Sequence, residues 1–167
     1  MTLAHVHLIL NHIPVIAVPF GLVLQGWAMF RRRPEFARLA LAVFIVAALV
    51  TIPTYLSGEP AEDAIEAVAG PIEPWVEAHE DAALISLILV ETLGALALLS
   101  LWTARRTASP ARPMLLASLV LGLATAGSLA YTASLGGPIR HTEIRRWESV
   151  CGAVGAVPRD EDDRDHR

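Results

Sequence analysis

Four stretches of largely apolar residues, at about 8–30, 39–56, 82–102 and 114–135, take up most of this 167-residue chain. A helix needs about 20 such residues to cross the hydrocarbon of a bilayer. Inside lipid only helices and closed barrels satisfy their own backbone. The runs are continuous blocks and do not alternate with a period of two, so helices are the solution they favour. The chain is therefore expected to be all-α: an integral membrane four-helix bundle over residues 1–147, with a long loop at 57–79. With 54% hydrophobic residues, too little polar sequence remains for a separate soluble domain. Beyond Trp147, residues 148–167 turn acidic and rich in Arg and Asp, the composition of a disordered tail.

The charges orient the bundle. The chain has no lysine, and Arg31, Arg32, Arg33 and Arg38 lie between the first and second spans, Arg105, Arg106 and Arg112 between the third and fourth. The 57–79 loop has no basic residue and carries Glu59, Glu62, Asp63, Glu66, Glu73 and Glu77. By the positive-inside rule both Arg loops face the cytoplasm. Both termini and the acidic loop then face the periplasm, in a multi-pass protein of a bacterial inner membrane. The N-terminus has neither a basic region nor a small-residue cleavage pattern, so a cleavable signal peptide is not expected. The single cysteine, Cys151, cannot form an internal disulfide, and without C-x-x-C-H there is no covalent c-type haem.

Against this background the histidines are out of place. His7 and His12 stand with Asn11 at the head of the first span, where imidazoles are costly unless paired, hydrated or ligating. His5, His79 and His141 fall at the same expected membrane face, and neither Arg loop has a histidine. His7 and His12 are five residues apart, hence about 140° around a helix and about 7.5 Å along it. They cannot together hold one small ion, and H-E-x-x-H is absent. A ligand set shared between helices is required. Bis-histidine ligation of haem b meets that requirement, with one or two haems served by His7, His12, His79 and His141. Arg140 is placed to neutralise a propionate. Asn11, Glu59, Glu62, Glu80 and Glu143 are candidates to accept an imidazole N–H or to complete the site. His5 and the tail residue His166 read more simply as interfacial and solvated groups.

Two other classes compete. A non-haem His/Glu site for iron, zinc or manganese would recruit the carboxylates at the same face. A cofactor-free subunit would use its helices only to pack against a larger membrane complex. The small residues of span four, among them Gly122, Ala126 and Gly127, suit that packing. Glu91 in span three is a mid-membrane acid, read as a neutral carboxyl bonded to a neighbouring helix in preference to a proton relay. No internal repeat stands out. Spans one and three each have a histidine near the outer end, but the flanking residues do not match.

The pattern H-x-x-x-x-H-x-P formed by His7, His12 and Pro14 resembles an uncharacterised family of small bacterial four-span membrane proteins. Their first helix reads roughly H-P-x-x-V-H-F-P; here Leu8, Asn11 and Ile13 replace the Pro, Val and Phe. The segments Glu77-Ala-His79-Glu80 and Gly136-Gly-Pro-Ile-Arg140-His141-Thr-Glu143 look like the later polar signatures of such proteins. The resemblance implies a haem-binding or redox-associated protein, since some members are joined to cytochrome c domains. The expectation is thus an electron-transfer subunit, not a free-standing enzyme, with bis-histidine haem near the periplasmic face. Its partners would be the lipid bilayer, a quinol or periplasmic cytochrome, a larger respiratory complex, or a second copy; nucleic acid is not among them.

Overall fold

The computed structural model describes residues 3–61, 73–106 and 109–140. They form helices α1 (Leu3–Leu10), α2 (His12–Arg31), α3 (Pro34–Leu56), α4 (Glu73–Thr103) and α5 (Arg112–Arg140). A 3-10 turn at Ala104–Arg106 closes α4. No strand occurs among the described residues. Four segments are long and apolar enough to cross a membrane: His5–Arg31, Pro34–Leu56, Val76–Arg106 and Arg112–Gly137. α2 packs on α3, α3 on α4, α4 on α5, and α5 returns to α2, closing the bundle, while α1 leans on α3.

Three helices run past the limits that hydropathy alone sets, because helical hydrogen bonding continues where hydrocarbon ends. The 31 residues of α4 extend about 46 Å, against about 30 Å of hydrocarbon. Pro74 sits in its first turn, where the missing N–H costs nothing. The first span is interrupted at Asn11, which separates α1 from α2 while its N–H still reaches the His7 carbonyl at 3.0 Å. At the α2–α3 reversal Arg32 takes a left-handed conformation (φ 54°) and Arg33 is extended, which lets Pro34 open α3. The Arg33 N–H reaches back to Ala28 O at 2.9 Å, closing the helix end. A helical turn at 58–61 begins the acidic loop; Glu62, Asp63 and the rest of that loop to residue 72 lie outside the described residues, as does the 148–167 tail.

Small and hydroxyl residues fill much of the interior around the fully buried Val18, Leu41, Phe44, Val90 and Leu93, and many large aliphatic side chains face outward. Ala40, Ala47, Ala97, Ser100, Ser118 and Thr125 are fully enclosed, whereas Ile16, Val23, Phe30 and Val120 are mostly exposed. That inversion suits a bundle whose surroundings are as apolar as its own side chains, so that helices associate by close packing. The closest approaches use glycine. A Cβ on Gly21 would stand 2.5 Å from Phe44 Cε1, and one on Gly94 would collide with Ala48 Cβ. The buried Phe44 ring therefore packs directly against the α2 backbone at Gly21, and α3 and α4 approach closely at Ala48 and Gly94.

Gln25 is the unexpected interior group. It is fully buried, and its Nε2 donates to Leu115 O at 2.6 Å and Ser118 Oγ at 2.7 Å, linking α2 to α5. Its Oε1 is enclosed without a hydrogen-bond partner.

Candidate functional site: two histidines at one end of the bundle

His7 extends from α1 onto the end of α3. Its Nδ1 lies 2.9 Å from Thr54 O and 3.3 Å from Ser57 Oγ, and Ser57 Oγ itself donates to Thr54 O. A carbonyl only accepts, so Nδ1 carries a proton, and in the neutral ring Nε2 is the nitrogen with the lone pair. Gly58 follows one turn after Thr54, and a Cβ there would lie 3.8 Å from His7 Cε1.

His79 repeats this arrangement on the other two spans. Its Nδ1 donates to Thr132 O at 3.0 Å, and again Nε2 is left as the open nitrogen. Gly136 comes one turn after Thr132, with a would-be Cβ 3.4 Å from His79 Cε1. Thr132 is held in turn: its Oγ1 donates to Ser128 O, and Ser86 Oγ bridges Ser128 Oγ at 2.7 Å and Thr132 Oγ1 at 2.9 Å. Thr-x-x-x-Gly thus occurs twice, as Thr54–Gly58 and Thr132–Gly136, each time receiving a histidine from the span before it. A repeat invisible in the flanking residues of the histidines is present in the residues they touch.

A histidine whose Nδ1 is bonded to a backbone carbonyl is fixed in tautomer and direction, and this is how ligating imidazoles are commonly held. The second lone pair of each threonine carbonyl is what the helix leaves available. Each glycine lies beside the ring, at a distance where a Cβ would make ordinary contact with it. The donor set therefore fits a group that takes two imidazole nitrogens.

The other expected residues divide. His12 is exposed, and its Nδ1 donates to Leu8 O of α1 at 2.7 Å. It heads an apolar recess of about 300 Å³ lined by Ile13, Ile16, Ala17, Phe20 and Val43, on a different face from His7. His5 is exposed. Asn11 is half-buried with its Oδ1 enclosed and unpartnered, so it accepts no imidazole N–H. Glu59 and Glu80 are exposed. Arg140 ends α5, while His141 and Glu143 lie outside the described residues. Among the described residues no three His, Cys, Asp or Glu side chains come together to hold a metal ion.

What sequence reasoning missed is the acceptor side of the site. Thr54, Ser57, Thr132, Ser86 and Ser128 look like ordinary small polar residues of membrane helices. Their pairing with His7 and His79 is tertiary, across 47 and 53 residues. The spacing of a threonine and a glycine one turn apart, at the outer ends of spans two and four, is the signal that was there to find.

The fold and the site define a class: a multi-pass membrane protein that associates with the lipid bilayer through four helices and carries a matched pair of oriented histidines. Residues 4–142 match the family described as predicted membrane protein DUF2231, and the chain belongs to that family. No curated protein and no solved structure matches it.

Proposed function

We propose that this protein binds haem b through His7 and His79 and transfers electrons within the membrane. The observation that carries the reading is the duplicated arrangement of the two rings. Each has its Nδ1–H on a threonine carbonyl, its Nε2 open, and a glycine beside Cε1. Zinc or manganese held by a compact His/carboxylate set has less support, since no such trio converges among the described residues. Bis-imidazole haem iron cycles by one electron without needing an open coordination position.

The chain's own part in this is orientation and environment. Thr54 O and Thr132 O hold the neutral tautomers, and the hydroxyl cluster of Ser86, Ser128 and Thr132 stiffens the α5 side. Of the two haems that four histidines can serve, the described geometry supports one. His12, with its own Nε2 open, and His141 remain the candidates for a second, and Arg140 for a propionate. A quinol or a periplasmic cytochrome is the partner suited to such a site, and the bacterial inner membrane its location.

The test is a reduced-minus-oxidised visible spectrum of the detergent-purified protein with pyridine haemochrome quantification. A b-type α-band is expected, lost in His7→Ala and His79→Ala, and present in His12→Ala. A colourless protein from cells supplied with haem would overturn the reading. So would a band that survives both His7→Ala and His79→Ala.

A further inference from the structure

Glu91 lies near the middle of the third span and has no hydrogen-bond partner among the described residues; one of its oxygens is enclosed by its own chain. Sequence alone suggested that it bonds a neighbouring helix of the same bundle, and that bond is not made. Its position on the helix lies toward the other side. On α4, Ser86 faces α5 and Gly94 abuts Ala48 of α3. At about 100° per residue, Glu91 falls on the outward side of α4, beside Leu84, Ile88, Ala95, Leu98 and Trp102, all of them exposed.

These six positions, 84, 88, 91, 95, 98 and 102, alternate in steps of four and three. That is the seam of a coiled coil, and a single polar residue within such a seam characteristically fixes register and partner number. Every bundle helix presents apolar residues to lipid, but this outward face has an acid at mid-depth. A neutral carboxyl has one O–H donor and free acceptor positions, so it is its own complement across a two-fold axis. Hydrocarbon offers it no partner, and leaving it unbonded there is costly.

We infer that α4 is the interface of a parallel homodimer. Glu91 of one copy meets Glu91 of the other on the two-fold axis, and Leu84, Ile88, Ala95, Leu98 and Trp102 form the flanking seam. Ala95, one turn from the acid, lets the helices approach. The inference is independent of the histidine site, which lies about 18 Å farther along α4, at His79.

The experiment uses the full chain in liposomes and counts photobleaching steps per particle across a range of protein-to-lipid ratios. Two-step particles should dominate at high ratio and dissociate reversibly on dilution with lipid. Glu91→Leu should weaken association about tenfold, the size of interhelical hydrogen bonds in model membrane peptides. Glu91→Gln, whose amide also donates and accepts, should stay within a few-fold of the parent. In a Cys151→Ser background, Ala95→Cys should form an inter-chain disulfide, and Ala97→Cys, which is fully buried, should not. Unchanged helicity by circular dichroism would show that the variants fold. Single steps at every ratio would overturn the dimer and leave the carboxyl to another transmembrane chain. Equal association of Glu91→Leu and parent, or cross-linking at Ala97→Cys in preference to Ala95→Cys, would overturn the seam.

Discussion

Replacing Gln25 by leucine should leave the bundle as stable as before or make it more so, although the change deletes two hydrogen bonds. Nε2 donates to Leu115 O and Ser118 Oγ in a fully buried position. Interhelical hydrogen bonds in a membrane protein average about 0.6 kcal/mol each, so roughly 1 kcal/mol is lost with the pair. Neither acceptor is stranded, because Ser118 Oγ also donates to Leu115 O at 3.1 Å. Against this loss stands Oε1, enclosed with no partner, which costs about 1–3 kcal/mol in a buried site. Leucine has a similar volume and no polar atom. The balance runs from no change to about 2 kcal/mol of added stability. Gln25→Ala differs: it removes the same bonds and leaves a cavity, for a loss of about 2–4 kcal/mol. Unfolding in mixed dodecylmaltoside–SDS micelles, followed by circular dichroism, measures both. A loss of more than about 2 kcal/mol in Gln25→Leu would refute the reasoning, because Oε1 would then have a partner worth keeping.

Three further outcomes follow from the packing and the site. Gly94→Val places methyl groups where Ala48 already sits, and the forced separation of α3 and α4 should cost about 1–3 kcal/mol in the same assay. Gly136→Val should displace the His79 ring, whose Cε1 lies 3.4 Å from the position of a Cβ, and so shift or abolish the haem α-band. Thr132→Val should keep that band, since the carbonyl that accepts the His79 N–H remains. The orientation is checked in a Cys151→Ser background: Glu59→Cys should react with a membrane-impermeant maleimide added to intact cells, and Arg105→Cys only after lysis. The reverse pattern would turn the protein over.

The four spans could be read from sequence because the energetic demand of hydrocarbon is written residue by residue. Their ends were less legible. Hydropathy stops at the first cluster of charges, but α4 begins at Glu73, ahead of the apolar run, since polar residues extend a helix into the interface as readily as apolar ones. The divergence of His7 from His12 followed from helical geometry alone. The joining of His7 to Thr54 and of His79 to Thr132 did not, because any serine or threonine in a membrane helix can bond its own backbone. Thr51, Thr92 and Thr125 do so here, to Ala47, Ile88 and Leu121. Gln25 did not stand out within its apolar run, and Glu91 was noticed as a carboxyl bonded to a neighbouring helix, a bond not made among the described residues.

The duplicated arrangement also explains why the site lies at the end of the bundle and not within it. Within the bundle the helices can touch too closely to admit a ring between them, as at Gly94 against Ala48. At the outer ends Ser57 and Gly58 follow α3, and Gly136 and Gly137 lie near the end of α5. There the packing partner is a side chain, and the threonine carbonyl one turn earlier has a lone pair to spare. A histidine arriving from the preceding span can use that carbonyl as a fixed acceptor, with glycine giving room for its ring. The same solution appears on both pairs of spans, with different residues around it: Ser57 supports Thr54 from within its own helix, and Ser86 supports Thr132 from the neighbouring one. Packing alone demands only small residues at these positions. It does not demand that both histidines turn the same nitrogen, Nδ1, to a threonine carbonyl.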